Sequence, residues 1–264
     1  MDDADLAARE HANLVTAFVV VANMAGGVAR RTDGVAALLS GLPVPGFNLV
    51  LAEDASASPE ALAGAVALAR ERGAPFAVDL RVGTDDRFVP LMAELGLVPC
   101  APEPWAPGMA LHPVPAGPPA TRPGHEIREI VDRAGIRDHV RIATEAFGIH
   151  ADVMSAIVNS TSVHLPCLTV YVGYADGEAV SAGLGVRSGR TIGVYNVAVA
   201  EGARRRGYGE AMTRRIAADG VAGGCDVAVL QATPMGRPLY ERLGYRQVVS
   251  YMGYVEPALA AGGA

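Results

Sequence analysis

The sequence predicts two α/β sandwich domains in tandem, each with a mixed sheet, the first truncated. Three observations carry this. Strand-like and helix-like segments alternate along most of the 264 residues. Nine of the eighteen prolines fall between Pro99 and Pro123. Proline fixes φ and lacks a backbone donor, so this stretch resists both helix and central strand. Finally, two segments recur at one offset of 148 residues. Phe47-Asn48-Leu49-Val50-Leu51-Ala52-Glu53-Asp54-Ala55 matches Tyr195-Asn196-Val197-Ala198-Val199-Ala200-Glu201-Gly202-Ala203, and Pro90-Leu91-Met92-Ala93-Glu94-Leu95-Gly96 matches Pro238-Leu239-Tyr240-Glu241-Arg242-Leu243-Gly244. Two matches in the same order argue for a domain-sized duplication. The predicted division is a first domain over 1–114, a proline-rich linker over 115–124 and a second domain over 125–264.

The elements follow in order. The apolar run from Ala12 to Ala25 is too short to span a bilayer, contains Asn13, Thr16 and Asn23, and follows acidic residues. It reads as a buried helix and not as a targeting segment. A compact hairpin turns at Asp33-Gly34. Strands are expected over 46–52 and 75–81, helices over Pro59–Arg72 and Asp86–Leu95, and a short strand over Met109–His112. The second half opens with a strand over Glu126–Val131 and helices over Gly135–Phe147 and Ala151–Asn159. A hairpin from Leu168 to Val186 turns at Asp176-Gly177. Strands over 191–199 and 226–231, helices over Arg206–Asp219 and Pro234–Leu243, and a strand over Tyr251–Val255 complete it.

The net charge of −6 speaks against nucleic-acid binding, which needs a basic surface to displace counterions. Cys100, Cys167 and Cys225 are far apart and lack C-x-x-C spacing, so neither a disulfide framework nor a metal site is expected. A reducing cytoplasm and no membrane partner fit this composition.

The chemistry concentrates at Arg204-Arg205-Arg206-Gly207-Tyr208-Gly209, between a β-rich run and a helix. A glycine turn at a helix start aims several N–H groups at one point, where the helix dipole is positive. Glycine lets the backbone approach an anion without a Cβ in the way. A pyrophosphate suits that arrangement; an exposed basic helix start is the bland alternative. No Gly-Lys-Ser/Thr follows, and the glycine spacing is not G-x-G-x-x-G, so P-loop and dinucleotide fingerprints are excluded.

Residues 204–209 with the preceding Val197-Ala198-Val199 resemble the coenzyme A signature of the GNAT acetyltransferases, R/Q-x-x-G-x-G/A. Residues 233–245, from Thr233 through Tyr240 to Tyr245, are similar to that family's N-x-x-A-x-x-L-Y-E-x-x-G-F helix, with Thr233 and Gly236 in place of asparagine and alanine. The resemblance covers about 125–256. It implies a GNAT-like α/β sandwich and acetyl-CoA as co-substrate, with no metal. Val197, Ala198 and Val199 would pair with pantetheine. Arg204, Arg205, Arg206, Gly207, Tyr208, Gly209 and Glu210 would hold the pyrophosphate, backbone amides foremost, and Thr233 and Gly236 would complete the cofactor contacts. Tyr240 would protonate the thiolate leaving group; the plain alternative is a helix residue packed on the sheet.

The first half carries Ser56-Ala57-Ser58-Pro59-Glu60-Ala61 opposite the arginine–glycine run, and Met92 opposite Tyr240. It reads as a degenerate GNAT-like domain that scaffolds or shapes the acceptor cleft. No carboxylate lies within 191–199, so the general base is left open among Glu145, His150 and His164. The recurrence of Asn196 as Asn48 favours a structural role for it. The implied activity is N-acylation, with acetyl the expected group, of a small-molecule or peptide amine by direct attack in a ternary complex. A homodimer is compatible with this reading. The rival is a non-catalytic acyl-CoA-binding or regulatory module.

Overall fold

The computed structural model describes residues 1–104, 106–115 and 124–260. The elements are α1 (Asp3–Met24), β1 (Val28–Thr32), β2 (Val35–Leu39), β3 (Asn48–Ala52), α2 (Pro59–Arg72), β4 (Ala77–Arg81), α3 (Val89–Glu94), β5 (Val98–Pro99), β6 (Ala106–Leu111), β7 (His125–Glu129), α4 (Arg133–Phe147), α5 (Ala151–Ile157), β8 (Leu168–Ala175), β9 (Glu178–Ser188), β10 (Thr191–Val199), α6 (Tyr208–Ala222), β11 (Val227–Gln231), α7 (Arg237–Arg242), β12 (Arg246–Val255) and α8 (Pro257–Ala260). They form an α/β fold with mixed strand pairing. No described helix is long and apolar enough to cross a membrane.

The chain forms two compact units that exchange segments. A C-terminal unit comprises Met1–Asn13, Ala110–Leu230 and Arg237–Arg246, and an N-terminal unit comprises Leu14–Met109, Gln231–Gly236 and Gln247–Ala264. Residues 116–123 of the expected linker lie outside the described residues.

In the N-terminal unit the strand order is β1-β2-β3-β4-β12, with β5 also paired to β12. β2 and β3 are antiparallel, whereas β3 and β4 are parallel across the α2 crossover. Every residue of β2 and β3 is buried, as expected of strands covered on both faces. Alternation sorts them. Val35, Ala37, Leu39, Val50 and Ala52 pack with Leu62, Val66 and Ala69 of α2. Ala36, Leu38, Leu49 and Leu51 pack with Val15, Phe18 and Val19 of α1. The β1–β2 turn places Asp33 at φ 49 and Gly34 at φ 72, the left-handed pair that a two-residue hairpin needs. β12 joins this unit by antiparallel pairing with β4, from Tyr251↔Arg81 to Val255↔Ala77.

In the C-terminal unit the order is β11-β10-β9-β8-β7. β10 and β11 are parallel across α6, and the other neighbours are antiparallel. α6 approaches the sheet closely because the facing positions are glycines. A Cβ on Gly183 would lie 2.8 Å from Met212, and one on Gly220 would lie 2.5 Å from Ile192. α4 buries Gly135, His139, Ile142 and Ala143. The first half of α1 also belongs to this unit, held by a 2.7 Å ion pair from Arg9 to Asp226.

Candidate functional site

The site begins where β10 leaves β11. Their parallel register runs only from Thr191↔Val227 to Gly193↔Val229, although β10 continues to Val199. On its other side β10 stays paired to β9, but three residue steps from Tyr195 to Ala198 oppose two from Leu184 to Ala182. That is a β-bulge, and Asn196 within it takes a left-handed φ of 55. Beyond the bulge, Ala200 N–H donates to Val180 O at 2.9 Å. Alternation then turns the N–H and C=O of Val199 away from β9, and those of Val197 likewise, toward the side that β11 has vacated. Arg204 Nε reaches Val199 O at 3.4 Å.

The next segment is a short 3-10 turn, Glu201–Ala203, followed by the exposed Arg204, Arg205 and Arg206. Arg205 at φ 60 and Gly207 at φ 81 are both left-handed. Gly207 is the N-cap of α6 and supplies no side-chain cap. The first intrahelical bond runs from Ala211 N–H to Gly207 O, so the N–H groups of Tyr208, Gly209 and Glu210 precede the ladder. Glu210 turns along the helix to pair with Arg214 at 3.0 Å instead of capping its start. An uncapped helix start with left-handed residues before it is an anion-binding geometry.

Gly209 ties this start to the other elements. A Cβ built on it would lie 3.5 Å from Val199 Cγ2 and 3.6 Å from Leu239 Cδ2. Leu239 precedes Tyr240 on α7. The Tyr240 ring meets Tyr245 edge-on, with centroids 6.0 Å apart. Burial pushes the Tyr240 hydroxyl up to about 12, so it keeps its proton near neutrality. Val197–Val199, Arg204–Glu210 and Tyr240 therefore fall in one neighbourhood of the C-terminal unit. Thr233 and Gly236 lie in the segment grouped with the N-terminal unit. There Thr233 Oγ1 accepts from Gly236 N–H at 3.1 Å, and α7 starts at Arg237, three residues later than the sequence suggests. Residues 234–236 form a turn instead of the helix start.

The corresponding features of the N-terminal unit differ at each point. Leu49–Leu51, aligned by the repeat with Val197–Val199, remain paired to β4 as Leu49↔Ala77 to Leu51↔Asp79. α2 is capped by Ser58, whose side chain accepts from Ala61 N–H at 3.1 Å. Met92 lies in the core, fully buried. Asn48 is a buried hub: it donates to Leu42, Val44 and Pro75 carbonyls and accepts from Gly41 N–H.

The three candidate bases are exposed and locally engaged. Glu145 faces Arg141 at 3.7 Å, His150 caps α5 beside Asp152 at 3.2 Å, and His164 ends a 3-10 turn. The three cysteines are free thiols. Among the described residues no group of three or more His, Cys, Asp or Glu is placed to hold a metal.

Sequence reasoning gave Asn196 a structural role but missed its partners around the bulge. His139 of α4 is fully buried; its Nδ1 lies 3.1 Å from Tyr171 O and its Nε2 3.2 Å from Asn196 Nδ2. A carbonyl only accepts, so Nδ1 carries the proton and Nε2 accepts from the amide. Asn196 Nδ2 also approaches Met154 Sδ at 3.2 Å. From the other side, Tyr195 Oη donates to Asn13 Oδ1 at 2.8 Å. The available signals were a polar residue inside the apolar run of α1 and a histidine on the buried stripe of an amphipathic helix.

Burial holds His139 down at about 4. Between about pH 4 and 6.5 the unfolded chain takes up a proton that the folded one refuses, so stability rises with pH across that window. We expect this contribution to be complete above pH 6.5 and lost as pH falls toward 4. At about 1.4 kcal/mol per unit it is on the order of 3 kcal/mol. Urea denaturation at pH 7 and pH 5 reads it, and His139→Gln should flatten the difference.

The C-terminal unit is thus a mixed sheet that parts near a bulge, beside an uncapped glycine-bearing helix start. Residues 166–247 match the family model described as Acetyltransferase (GNAT) domain. The chain resembles the solved structure of a GCN5-related N-acetyltransferase from Kribbella flavida, at TM-score 0.67 and 17% identity over 92% of this chain and 95% of that one. It resembles a GCN5-related N-acetyltransferase from Sphaerobacter thermophilus at TM-score 0.58 and 18% identity, covering 84% and 76%. A tandem GNAT protein from the clavulanic acid biosynthesis pathway gives TM-score 0.56 at 11% identity, covering 78% and 74%. These likenesses establish the fold. The comparison with curated proteins finds no match.

Proposed function

We propose that the chain is an acyl-CoA-dependent N-acyltransferase, acetyl being the expected group, and that transfer occurs in the C-terminal unit. The observation that carries this is the convergence at Gly209. The uncapped start of α6, the end of β10 beyond its pairing with β11 and the segment bearing Tyr240 meet there. The amides from Arg205 to Glu210 would receive the pyrophosphate, with Arg204, Arg205 and Arg206 adding positive potential. The outward N–H and C=O groups of Val197 and Val199 would pair with pantetheine, laying the thioester along the splayed strand. The fit rests on chain chemistry: donors at a positive helix end for an anion, and strand donors and acceptors for an amide-bearing arm.

The reaction then needs an amine nucleophile and a proton for the departing sulfur. The neutral amine attacks the thioester carbonyl carbon, the C–S bond breaks, and Tyr240 gives its phenolic proton to the sulfur. The proton shed by the amine nitrogen leaves to solvent, and the Tyr240 phenolate regains a proton from solvent before the next turnover. A neutral phenol can give its proton as negative charge develops on the departing sulfur. The acceptor is a small-molecule or peptide amine. We infer further that the N-terminal unit keeps the scaffold and lacks the chemistry. Its helix start is capped by Ser58, its β3 stays paired to β4, and Met92 stands for Tyr240.

The test is incubation with acetyl-CoA and a panel of amines, reading thiol release. Turnover with any amine supports the enzyme. Tight coenzyme A binding with no thiol release across the panel would favour a binding or regulatory module, and absence of binding would sink both.

A further inference from the structure

We infer that the β10 bulge is clamped between two helices distant in sequence, by Asn13 and His139, and that both are positioning residues for the strand end carrying Val197 and Val199. This rests on the acyl-transfer reading of that strand end. The clamp itself is geometric.

Asn13 is fully buried in the C-terminal unit and saturated with partners. Its Oδ1 accepts from Tyr195 Oη at 2.8 Å, and its Nδ2 donates to Val186 O at 2.9 Å and Ser188 Oγ at 2.8 Å. Room for it exists because residue 193 is glycine: a Cβ there would lie 1.9 Å from Asn13 Oδ1 and 2.3 Å from the Tyr195 ring. One side chain of α1 thus joins β9 to β10 immediately before the bulge. The residue after Tyr195 is held by the second arm, in which Tyr171 O orients His139 and His139 orients Asn196. Asn196 is the left-handed residue of the bulge.

The consequence follows from strand geometry. The bulge adds one residue to β10, which resets the facing of every backbone group beyond it. Without the clamp, Asn196 can relax toward the extended region that most residues prefer, and the outward direction of Val197 and Val199 is no longer fixed. The extreme N-terminal segment of the chain, outside the stretch that matches the GNAT family model, therefore acts on the transfer site through Tyr195.

The experiment uses the full chain with Asn13→Ala, Tyr195→Phe and His139→Gln. Tyr195→Phe removes a single hydroxyl and keeps the ring, so it guards against variants that fail to fold. Three readouts are taken at a temperature where each variant is folded: acetyl-CoA affinity by calorimetry, the amine KM from thiol release, and amide hydrogen exchange of residues 195–199. We expect exchange there to accelerate in all three variants. We expect the acetyl-CoA Kd to rise about five- to tenfold, the worth of one hydrogen bond, with the amine KM unchanged. A merely stabilising role would lower the unfolding midpoint and leave Kd and local exchange of the folded protein as in wild type; that result overturns the clamp. Wild-type protein that does not bind acetyl-CoA sinks the acyl-transfer reading instead, and the exchange data then decide the clamp alone.

Discussion

Gly207→Val is expected to weaken acetyl-CoA binding at least a hundredfold. Gly207 holds φ 81 and ψ 9 at the start of α6. A β-branched residue there costs about 1–3 kcal/mol of backbone strain. The chain escapes that strain by rotating the peptides on either side, which are the ones whose N–H groups would face the pyrophosphate. At about 1.4 kcal/mol per decade, misaligning two charge-assisted bonds gives the stated loss. Two controls separate strain from sterics. Gly207→Asn, which tolerates the left-handed region, should lose less. Gly209→Ala should fold normally, because its Cβ would make only ordinary contacts at 3.5 and 3.6 Å. Calorimetric titration with coenzyme A measures all three, and undiminished affinity in Gly207→Val would remove the loop from the site.

Tyr240→Phe should lower kcat about 10²- to 10³-fold while leaving the acetyl-CoA Kd within about twofold. The hydroxyl is held protonated to about 12 by burial, so its loss removes a proton donor and little else. The ring contact with Tyr245 survives the change. Stopped-flow thiol release with a good amine, compared with equilibrium binding, separates the two quantities. Weakened binding with unchanged turnover would assign Tyr240 to the cofactor pocket and deny it the acid role.

Local elements were legible where local signals existed. α2 runs from Pro59 to Arg72 as read, because Ser58 caps it, Pro59 suits its first turn and Gly73 closes it at φ 71. β10 runs from Thr191 to Val199 as read. Asp33-Gly34 and Asp176-Gly177 both turn hairpins through left-handed pairs. The start of α7 was less legible: Thr233 and Pro234 look like a cap and a first position, yet they make a turn before the helix. A capping pattern states that a turn can begin and not that a helix continues from it.

The candidate site divides the same way. Arg204–Gly209 and Tyr240 stand out in the sequence because glycines, charge and spacing survive in one dimension. The bulge does not, since an asparagine tolerates a φ of 55 but does not require it; that depends on His139, 57 residues away, and on the register with β9. Asn13 lies 182 residues from the hydroxyl it receives. The pairing of β12 with β4 and the grouping of Met1–Asn13 with the C-terminal unit are equally silent in the sequence. Strand and helix periodicity, turn chemistry and the glycine-bearing loop at the start of α6 are properties of adjacent residues, so the chain specifies them wherever it folds. Which strand closes a sheet, where a strand parts from its neighbour and which buried polar group finds which partner are settled only when distant segments compete for the same hydrogen bonds and the same buried volume.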